Sequence, residues 1–579
     1  MNMFGWTGRT VIIDLESNSV TESRTTKKDA EQFIGGRGLG CRLMADLADP
    51  GIEPLSPGNP LIFSTGPLTG TSAPMSGHFN ITTKSPLTGT ISDSNAGGHL
   101  GAEMKFAGVD SLIVLGKAAE PAYIRIEDED VEILPAGHLW GKSTAEIVSI
   151  LEFQGKVACI GKAGERLVAL ANIVSGGYPS GRGGHGAVAG SKNLKAVVVK
   201  GSNLPEIAEP KAFGKAVEKV NRLLIANPPA SKGLANYGTA VFADLLGHMG
   251  ILPADNFRKK GSHEADKISG EFIMDNYRTE KEPCYACPVG CRRDFDNGSP
   301  VPDYDSLWTF GPNIGNTDLD TITLLNRMCV DYGMDPISCG SAVAAYMELH
   351  SVRLGKEELV ALVRDIGEGR SELSAGSYLY MCSKGTRQNS MSVKGLDLPG
   401  YDPREMAGMA LAYATSNRGG CHLSAFMAAP EIMGKPVALN RLKFDGKAAL
   451  VQYFQNLAAV IDSLVICPYA AFAMGEVELA SLLSTATGKS YTAEELLRAG
   501  ERIYNLERMY NIKTGFSRKD DTLPERFFGE DGIDRELFGN TLTDYYHFRG
   551  WDETGVPSKE KLQELGIWEE KAGKDSGGR

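Results

Sequence analysis

Cys284, Cys287 and Cys291, in the run Cys-Tyr-Ala-Cys-Pro-Val-Gly-Cys, are the side chains whose type and spacing speak most directly of chemistry. A C-x2-C-x3-C knot sets three thiolates on one short loop. A [4Fe–4S] cube takes four such soft ligands, and the fourth can come from far along the chain. The other seven cysteines (Cys41, Cys159, Cys329, Cys339, Cys382, Cys421 and Cys467) are scattered, so a fourth ligand has to arrive through the fold. A structural zinc is the alternative, but it usually presents two separated C-x2-4-C pairs. The spacing favours an iron–sulfur site and one-electron chemistry over a zinc-stabilised, non-catalytic scaffold.

Two glycine runs are the next candidates: Gly35-Gly36-Arg37-Gly38-Leu39-Gly40 and Gly181-Arg182-Gly183-Gly184-His185-Gly186. A dinucleotide fingerprint follows a strand directly and opens a helix. The strand-like run before the first of them, Thr10 to Asp14, ends too early for that. The runs are then either plain turns or a cradle in which backbone amides and an adjacent arginine hold phosphates. The segment Lys84-Ser85-Pro86-Leu87-Thr88-Gly89, leading to Ser94-Asn95-Ala96-Gly97-Gly98, supports the cradle with small and hydrogen-bonding side chains.

The elements that must position these groups change character along the chain. Up to about Ser202 short β-rich runs alternate with glycine turns: Thr10 to Asp14, Pro60 to Ser64, Phe79 to Thr83, Ser111 to Leu115, Ala122 to Ile126, Lys156 to Ile160 and Ala196 to Lys200. Pro67-Leu68-Thr69-Gly70 is echoed by Pro86-Leu87-Thr88-Gly89, as in a duplicated β unit. From Pro210 helical periodicity takes over, with segments 404–415, 446–465, 473–485 and 493–512 and a helix start at Asp335-Pro336. The expected class is α+β: a β-sheet-rich base over 1–205, then two mainly α-helical domains over 206–395 and 396–579. The second boundary rests on the glycine- and proline-rich break at Gly395 to Pro403, and the tail from Lys571 to Arg579 reads as disordered.

Composition removes several classes of function. The 579-residue chain carries 72 acidic against 60 basic residues, a net charge of −12 that does not suit a general nucleic-acid binder. No stretch of about eighteen apolar residues occurs, so no membrane span is expected. The first residues lack the basic-then-apolar order of a secretory signal, and ten cysteines without a short disulfide framework fit a reducing compartment. A cytoplasmic location is expected.

The motifs together resemble the tungsten-containing aldehyde:ferredoxin oxidoreductase family. The likeness runs over nearly the whole chain: the glycine run at 35–40, Lys-Ser-Pro-Leu-Thr-Gly at 84–89 with Asn95 and Gly97, Gly-Arg-Gly-Gly at 181–184, and Gly-Ser-Lys-Asn-Leu-Lys-Ala at 190–196. It continues through the cysteine knot, Gly-Met-Asp at 333–335, Arg-Gly-Gly-Cys-His-Leu at 418–423, Asp462 to Cys467, and Arg-Gly-Trp-Asp-Glu-Thr-Gly-Val-Pro at 549–557. The resemblance implies a β base that carries two pterins holding one tungsten (or molybdenum), with two helical domains closing over it. Asn95, Gly97, Gly181 and Arg182 would contact the pterins and their phosphates. A Mg2+ would bridge those phosphates through backbone oxygens near Asn95 and Pro179. Asp462 and Ile466 would border one pterin, Asp331 and Asp335 the other, and Cys467 would be the fourth cluster ligand.

Some positions depart from the family pattern. His78 stands where an arginine near cluster and pterin is usual, and Tyr178-Pro179 where Arg-Ala is usual. Both changes remove a fixed positive charge, which histidine restores only when protonated, so His78 is expected to switch between about pH 5 and 8. Val465 replaces a glycine between Asp462 and Cys467. The implied activity is oxidation of an aldehyde to a carboxylic acid with water, electrons leaving singly for ferredoxin or a ferredoxin-like subunit. His422 and Asp305 are the implied proton-handling groups, Asp305 replacing the family's glutamate with a side chain one methylene shorter. The alternative within the family's reach is a catalytic subunit of a larger tungsten complex that reduces an aromatic acyl-CoA or a carboxylic acid. Homo- and hetero-oligomeric assembly both stay open.

Overall fold

The computed structural model describes residues 3–261, 265–435 and 437–568, so the tail from Lys571 lies outside the described residues. All seven strands expected from sequence are present, and with five others they make two six-stranded sheets. The first sheet is built from β1 (Arg9–Asp14), β2 (Ser19–Arg24), β3 (Leu61–Ser64), β4 (Phe79–Lys84), β5 (Ile91–Ala96) and β6 (Ser111–Leu115), in the order β2-β1-β6-β3-β4-β5. The second contains β7 (Ala122–Glu127), β8 (Asp130–Pro135), β9 (Lys156–Cys159), β10 (Val174–Ser175), β11 (Tyr178–Pro179) and β12 (Leu194–Lys200), in the order β11-β10-β9-β12-β7-β8. Only β1–β6 and β7–β12 pair in parallel.

Period-two side-chain alternation explains the layering. Val11, Ile13, Leu61, Phe63, Leu112 and Val114 point into one core with Ile124, Ile126, Val197 and Val199 of the other sheet. Ile62 and Ile113, one residue out of phase, instead meet Leu39, Met44, Ile503 and Tyr510. The helices Gly36–Leu47 and Ala493–Lys513 therefore cover the outer face of the first sheet.

The echoed turns are a repeated turn and not a duplicated unit. Gly70 and Gly89 both sit at φ +74, but their turns follow β3 and β4, which are antiparallel neighbours, and so fall at opposite ends of the sheet. The helical remainder packs as two cores. One of them unites Phe213, Trp308, Met409, Val460 and Tyr545, and so spans both expected helical domains. The chain turns at Lys394-Gly395 inside a tight hairpin of Ser392–Val393 with Leu396–Asp397, so a division at 395 passes through paired backbone. The four expected later helices are present, as is Pro336–His350, where the Asp335 carboxylate accepts from the Ile337 amide at 3.0 Å. No helix among the described residues is long and apolar enough to cross a membrane.

Candidate active site and cluster site

The four expected cluster cysteines come together. Cys284, Cys287, Cys291 and Cys467 are free and half-buried. The Cys467 thiol is pushed well above its usual value by burial and then by the other three sulfurs, so these thiols crowd one another. Burial and the charges of Cys287 and Cys284 push Cys291 up to about 12. A shared cation is what relieves such crowding, and the donor set fits an iron–sulfur cluster. Among the described residues no three His, Cys, Asp or Glu side chains converge as one metal ion requires.

Met75 joins the two cysteine-bearing segments through its backbone. Its N–H donates to the Ala286 carbonyl (2.9 Å), and its carbonyl accepts from the Cys467 N–H (3.1 Å). Met75, Ala286 and Val465 are all left-handed, at φ 65, 51 and 58. Such conformations cost on the order of 1 kcal/mol each in L-residues and persist where the surroundings over-determine them. Val465, in place of the family's glycine, ends the helix Lys447–Leu464 in this conformation, with Ile466 fully buried behind it.

Above the knot lie Gly97, His78 and Tyr178. A Cβ on Gly97 would stand 2.9 Å from Cys284 Sγ and 3.3 Å from His78 Nε2, so only glycine permits this approach. Burial lowers the His78 imidazole to about 4, which leaves it neutral over the range where it was expected to switch. Tyr178 donates to the Glu282 carbonyl at 2.7 Å, and Arg292 stacks on its ring at 4.2 Å. Arg292 thus returns a positive charge near the family's missing arginine.

The groove floor is β5 and the second glycine run. Cβ atoms on Gly181 and Gly183 would stand 2.2 and 2.5 Å from the hydroxyls of Ser94 and Ser92, and both glycines have positive φ. Asn95 donates to Asp462 at 2.6 Å. The arginines beside the glycine runs are both engaged by protein groups. Arg37 makes paired 2.7 Å bonds to Glu507 and reaches Asp462 at 3.2 Å. Arg182 binds Asp335, Ser338 and the carbonyls of Asp397 and Gly420. Asp331 stands apart from Asp335: it pairs with Arg327 at 3.6 Å and lines a 340 Å³ surface cavity with Gly177 and Arg292. Pro179 and Tyr178 line a second cavity of 230 Å³ with Cys291, Asp303 and Tyr469.

His422 and Asp305 meet across the groove, Nε2 to Oδ2 at 3.8 Å. Asp305 sits in the first turn of Tyr304–Phe310, which Asp303 caps. Burial, followed by the charge of Asp303, holds the Asp305 carboxyl well above the usual range. Burial, then Arg182 and Arg418, lowers His422 to about 3. His422 stacks on Tyr401 with ring centroids 5.4 Å apart. Tyr469 touches the fields of both Asp305 and the cluster sulfurs Cys291 and Cys467.

Several groups here were not singled out from sequence. Asp93 is held below its usual value, against burial, by Arg37 and Arg418, while burial and Asp93 push Asp462 up to about 7. Arg418 donates to Cys421 Sγ at 2.7 Å and, against burial, draws that thiol below its ordinary value. The signal was available: Arg418 and Cys421 bracket Gly-Gly in a family motif. Cys382, one of the scattered cysteines, is exposed. Asp305 Oδ1, His422 Nδ1, Asp397 Oδ2, Asn417 Oδ1 and Arg418 Nε are buried without partners. Such a set, linked through Arg182 and Arg418, fits a large polar group seated between base and roof.

Comparison with known proteins agrees. The family described as "Aldehyde ferredoxin oxidoreductase, N-terminal domain" matches residues 10–201, and "Aldehyde ferredoxin oxidoreductase, domains 2 & 3" matches 215–567. A tungsten-containing aldehyde ferredoxin oxidoreductase of Pyrococcus furiosus is 41% identical, over 98% of this chain and 100% of its own length. The enzyme of that name from Thermococcus kodakarensis is 40% identical over the same shares. Among solved structures, the active site complex BamBC of benzoyl coenzyme A reductase, with 1,5-dienoyl-CoA, superposes with a TM-score of 0.86 at 25% identity, over 98% of both chains.

Proposed function

Because this chain belongs to the aldehyde ferredoxin oxidoreductase family, we propose that it oxidises an aldehyde to the carboxylic acid with water and passes two electrons, one at a time, to a ferredoxin-class acceptor. Cys284, Cys287, Cys291 and Cys467 are the cluster ligands in this reading. His78, Asn95, Gly97, Tyr178, Gly181, Asp335, Asp462 and Ile466 border the pterins, with Mg2+ on the phosphates near Asn95 and Pro179. A tungsten bis-pterin centre, when bound, accepts the electron pair, and a [4Fe–4S] cluster relays it singly.

The observation that carries the reading is the His422–Asp305 pair, with Tyr304, Tyr401 and Tyr413 beside Asp305. Attack of water on a carbonyl needs a base for the water proton and a donor for the carbonyl oxygen. His422 is neutral at working pH, and its unpartnered Nδ1 has a lone pair for that proton. Burial and Asp303 favour the protonated form of Asp305, which can hydrogen-bond to the aldehyde oxygen. A cytoplasmic setting suits the free thiols.

The test is anoxic purification, metal and pterin analysis, and an aldehyde panel with ferredoxin or a viologen as acceptor. Absence of aldehyde-dependent reduction by a fully loaded enzyme would sink the reading. The likeness to the benzoyl coenzyme A reductase complex favours a second one: a subunit that reduces an aromatic acyl-CoA or a carboxylic acid. Co-purification with further electron-transfer subunits and acyl-CoA-dependent oxidation of the reduced enzyme would select it.

A further inference from the structure

We propose that Asp397, Ser377, Ser390 and Ser392 form a proton exit that leads from the active-site recess to solvent. Asp397 is fully buried, and one of its carboxylate oxygens accepts from the Ser377 hydroxyl. Ser377 Oγ is 2.9 Å from Ser390 Oγ, and Ser390 Oγ is 2.8 Å from Ser392 Oγ. Ser377 and Ser390 are buried, whereas Ser392 is half-exposed. The row is therefore unbroken from the interior to the surface.

The local fold explains this alignment. Lys394 (φ 50) and Gly395 (φ 81) form a two-residue turn with both central residues left-handed, the turn that matches strand twist. It sets Ser392 directly opposite Asp397 in the hairpin register. Ser377 opens the helix Ser377–Ser383 beside them.

At the inner end the Asp397 carboxyl is buried beside the Ser338 hydroxyl, which accepts from Arg182 Nη2 at 3.2 Å. The backbone carbonyl of Asp397 accepts from Arg182 Nη2 at 2.6 Å, and Arg182 also binds Asp335. Arg182 and Asp335 are the charges that face Asp397, and both also face Asp305. Burial raises Asp397 to about 6, so its carboxyl exchanges protons near neutrality. A serine cluster that merely satisfied Asp397 would not need to continue through two further hydroxyls to a half-exposed side chain.

The inference rests on the aldehyde reading, in which RCHO + H2O gives RCOOH + 2H+ + 2e−. Cys284, Cys287, Cys291 and Cys467 would hold the cluster that takes the electrons away, and the two protons must leave the buried neighbourhood of His422. A proton arriving at Asp397 neutralises its carboxylate; as Ser377 turns its hydroxyl from Asp397 toward Ser390, the carboxyl passes that proton to Ser377 Oγ and is a carboxylate again. The hydroxyl proton of Ser377 moves to Ser390, that of Ser390 to Ser392, and that of Ser392 to water. Only O–H bonds form and break, and each hydroxyl can both accept and donate.

The deciding experiment is hydrogen–deuterium exchange at the Asp397 carboxyl, followed by infrared difference spectroscopy of the holoenzyme, with Asp397→Asn identifying the band. Ser390→Ala should slow exchange on the order of tenfold or more, and Ser390→Thr, which keeps the hydroxyl, should restore it. Should Ser390→Ala fail to fold, Ser392→Ala gives the same test at a half-exposed position. Equal exchange rates in wild type and the folded alanine variant would overturn the proposal, whatever the substrate. A single-turnover measurement with aldehyde and a pH-indicator dye separates the two readings. Proton release should lag behind loss of the cluster's visible absorbance in Ser390→Ala and coincide with it in wild type. Coincidence in both would overturn the exit alone, whereas a wild-type absorbance unmoved by any aldehyde would overturn the substrate reading alone.

Discussion

At the scale of single residues, His422 and Asp305 divide the labour by protonation state. His422→Ala should lower kcat by about 10²–10⁴-fold while iron, tungsten and pterin contents stay at wild-type levels. Turnover close to wild type at saturating aldehyde would remove His422 from the mechanism. The pH dependence follows from the directions of the shifts. Asp305 is raised by burial and then by Asp303, so its protonated form persists to higher pH than an ordinary carboxyl's and is lost as pH climbs through its folded value. The alkaline limb of the rate profile should therefore disappear in Asp305→Asn, which keeps a donor that does not titrate. His422, lowered to about 3, leaves no acid limb near neutrality. Lengthening the carboxylate in Asp305→Glu should also impair turnover, because an acid adapted to this recess moves by more than an ångström. The chain's cysteines and His422 were legible because their types and motifs stand alone in sequence. The pairing of Asp93 with Asp462, and the neutrality of His78, were not, because burial creates both.

At the scale of elements, the loop from Asp462 to Cys467 is held by what glycine permits opposite it. A Cβ on Gly36 would stand 2.4 Å from the Asp462 carbonyl and 2.5 Å from Val465 Cγ2, at φ +37. Gly36→Ala should cost about 1–3 kcal/mol in chemical denaturation and lower the iron content, since it displaces the fourth ligand's loop. Cys467→Ala should leave tungsten largely bound but take iron below four atoms per chain and abolish ferredoxin reduction. A full four-iron cluster in that variant would refute the ligand set. Strands with alternating apolar residues, such as β1 and β3, were readable from sequence. β5, Ile-Ser-Asp-Ser-Asn-Ala, was not, because it is a buried strand whose polar side chains face the groove instead of a core. β2 was missed for the opposite reason: it is an almost fully exposed edge with no apolar face.

At the scale of the whole molecule, base and roof are clamped by buried ions. Arg37, on the base, stands between Asp93, Asp462 and Glu507, two of which belong to the roof. Removing one member of such a set leaves uncompensated charge, so Arg37→Met should destabilise by about 3–5 kcal/mol in urea unfolding. That loss should be smaller at pH 5 than at pH 8, because Asp462, raised to about 7, takes up a proton at the lower pH. The exposed Lys200–Glu127 pair, screened by solvent, should change little when broken. The β base followed by helices was visible in the shift of periodicity, but the clamp was not, since its members lie hundreds of residues apart. The Met75 bridge has a consequence for how the protein is made. During synthesis the three-cysteine loop leaves the ribosome long before Cys467 exists, and the Met75 carbonyl waits for the amide of that last cysteine. With the proposed ligand set a cluster delivered early would have an open corner, so maturation would follow translation of the C-terminal half, and a nascent chain stalled before Cys467 should carry no complete cube.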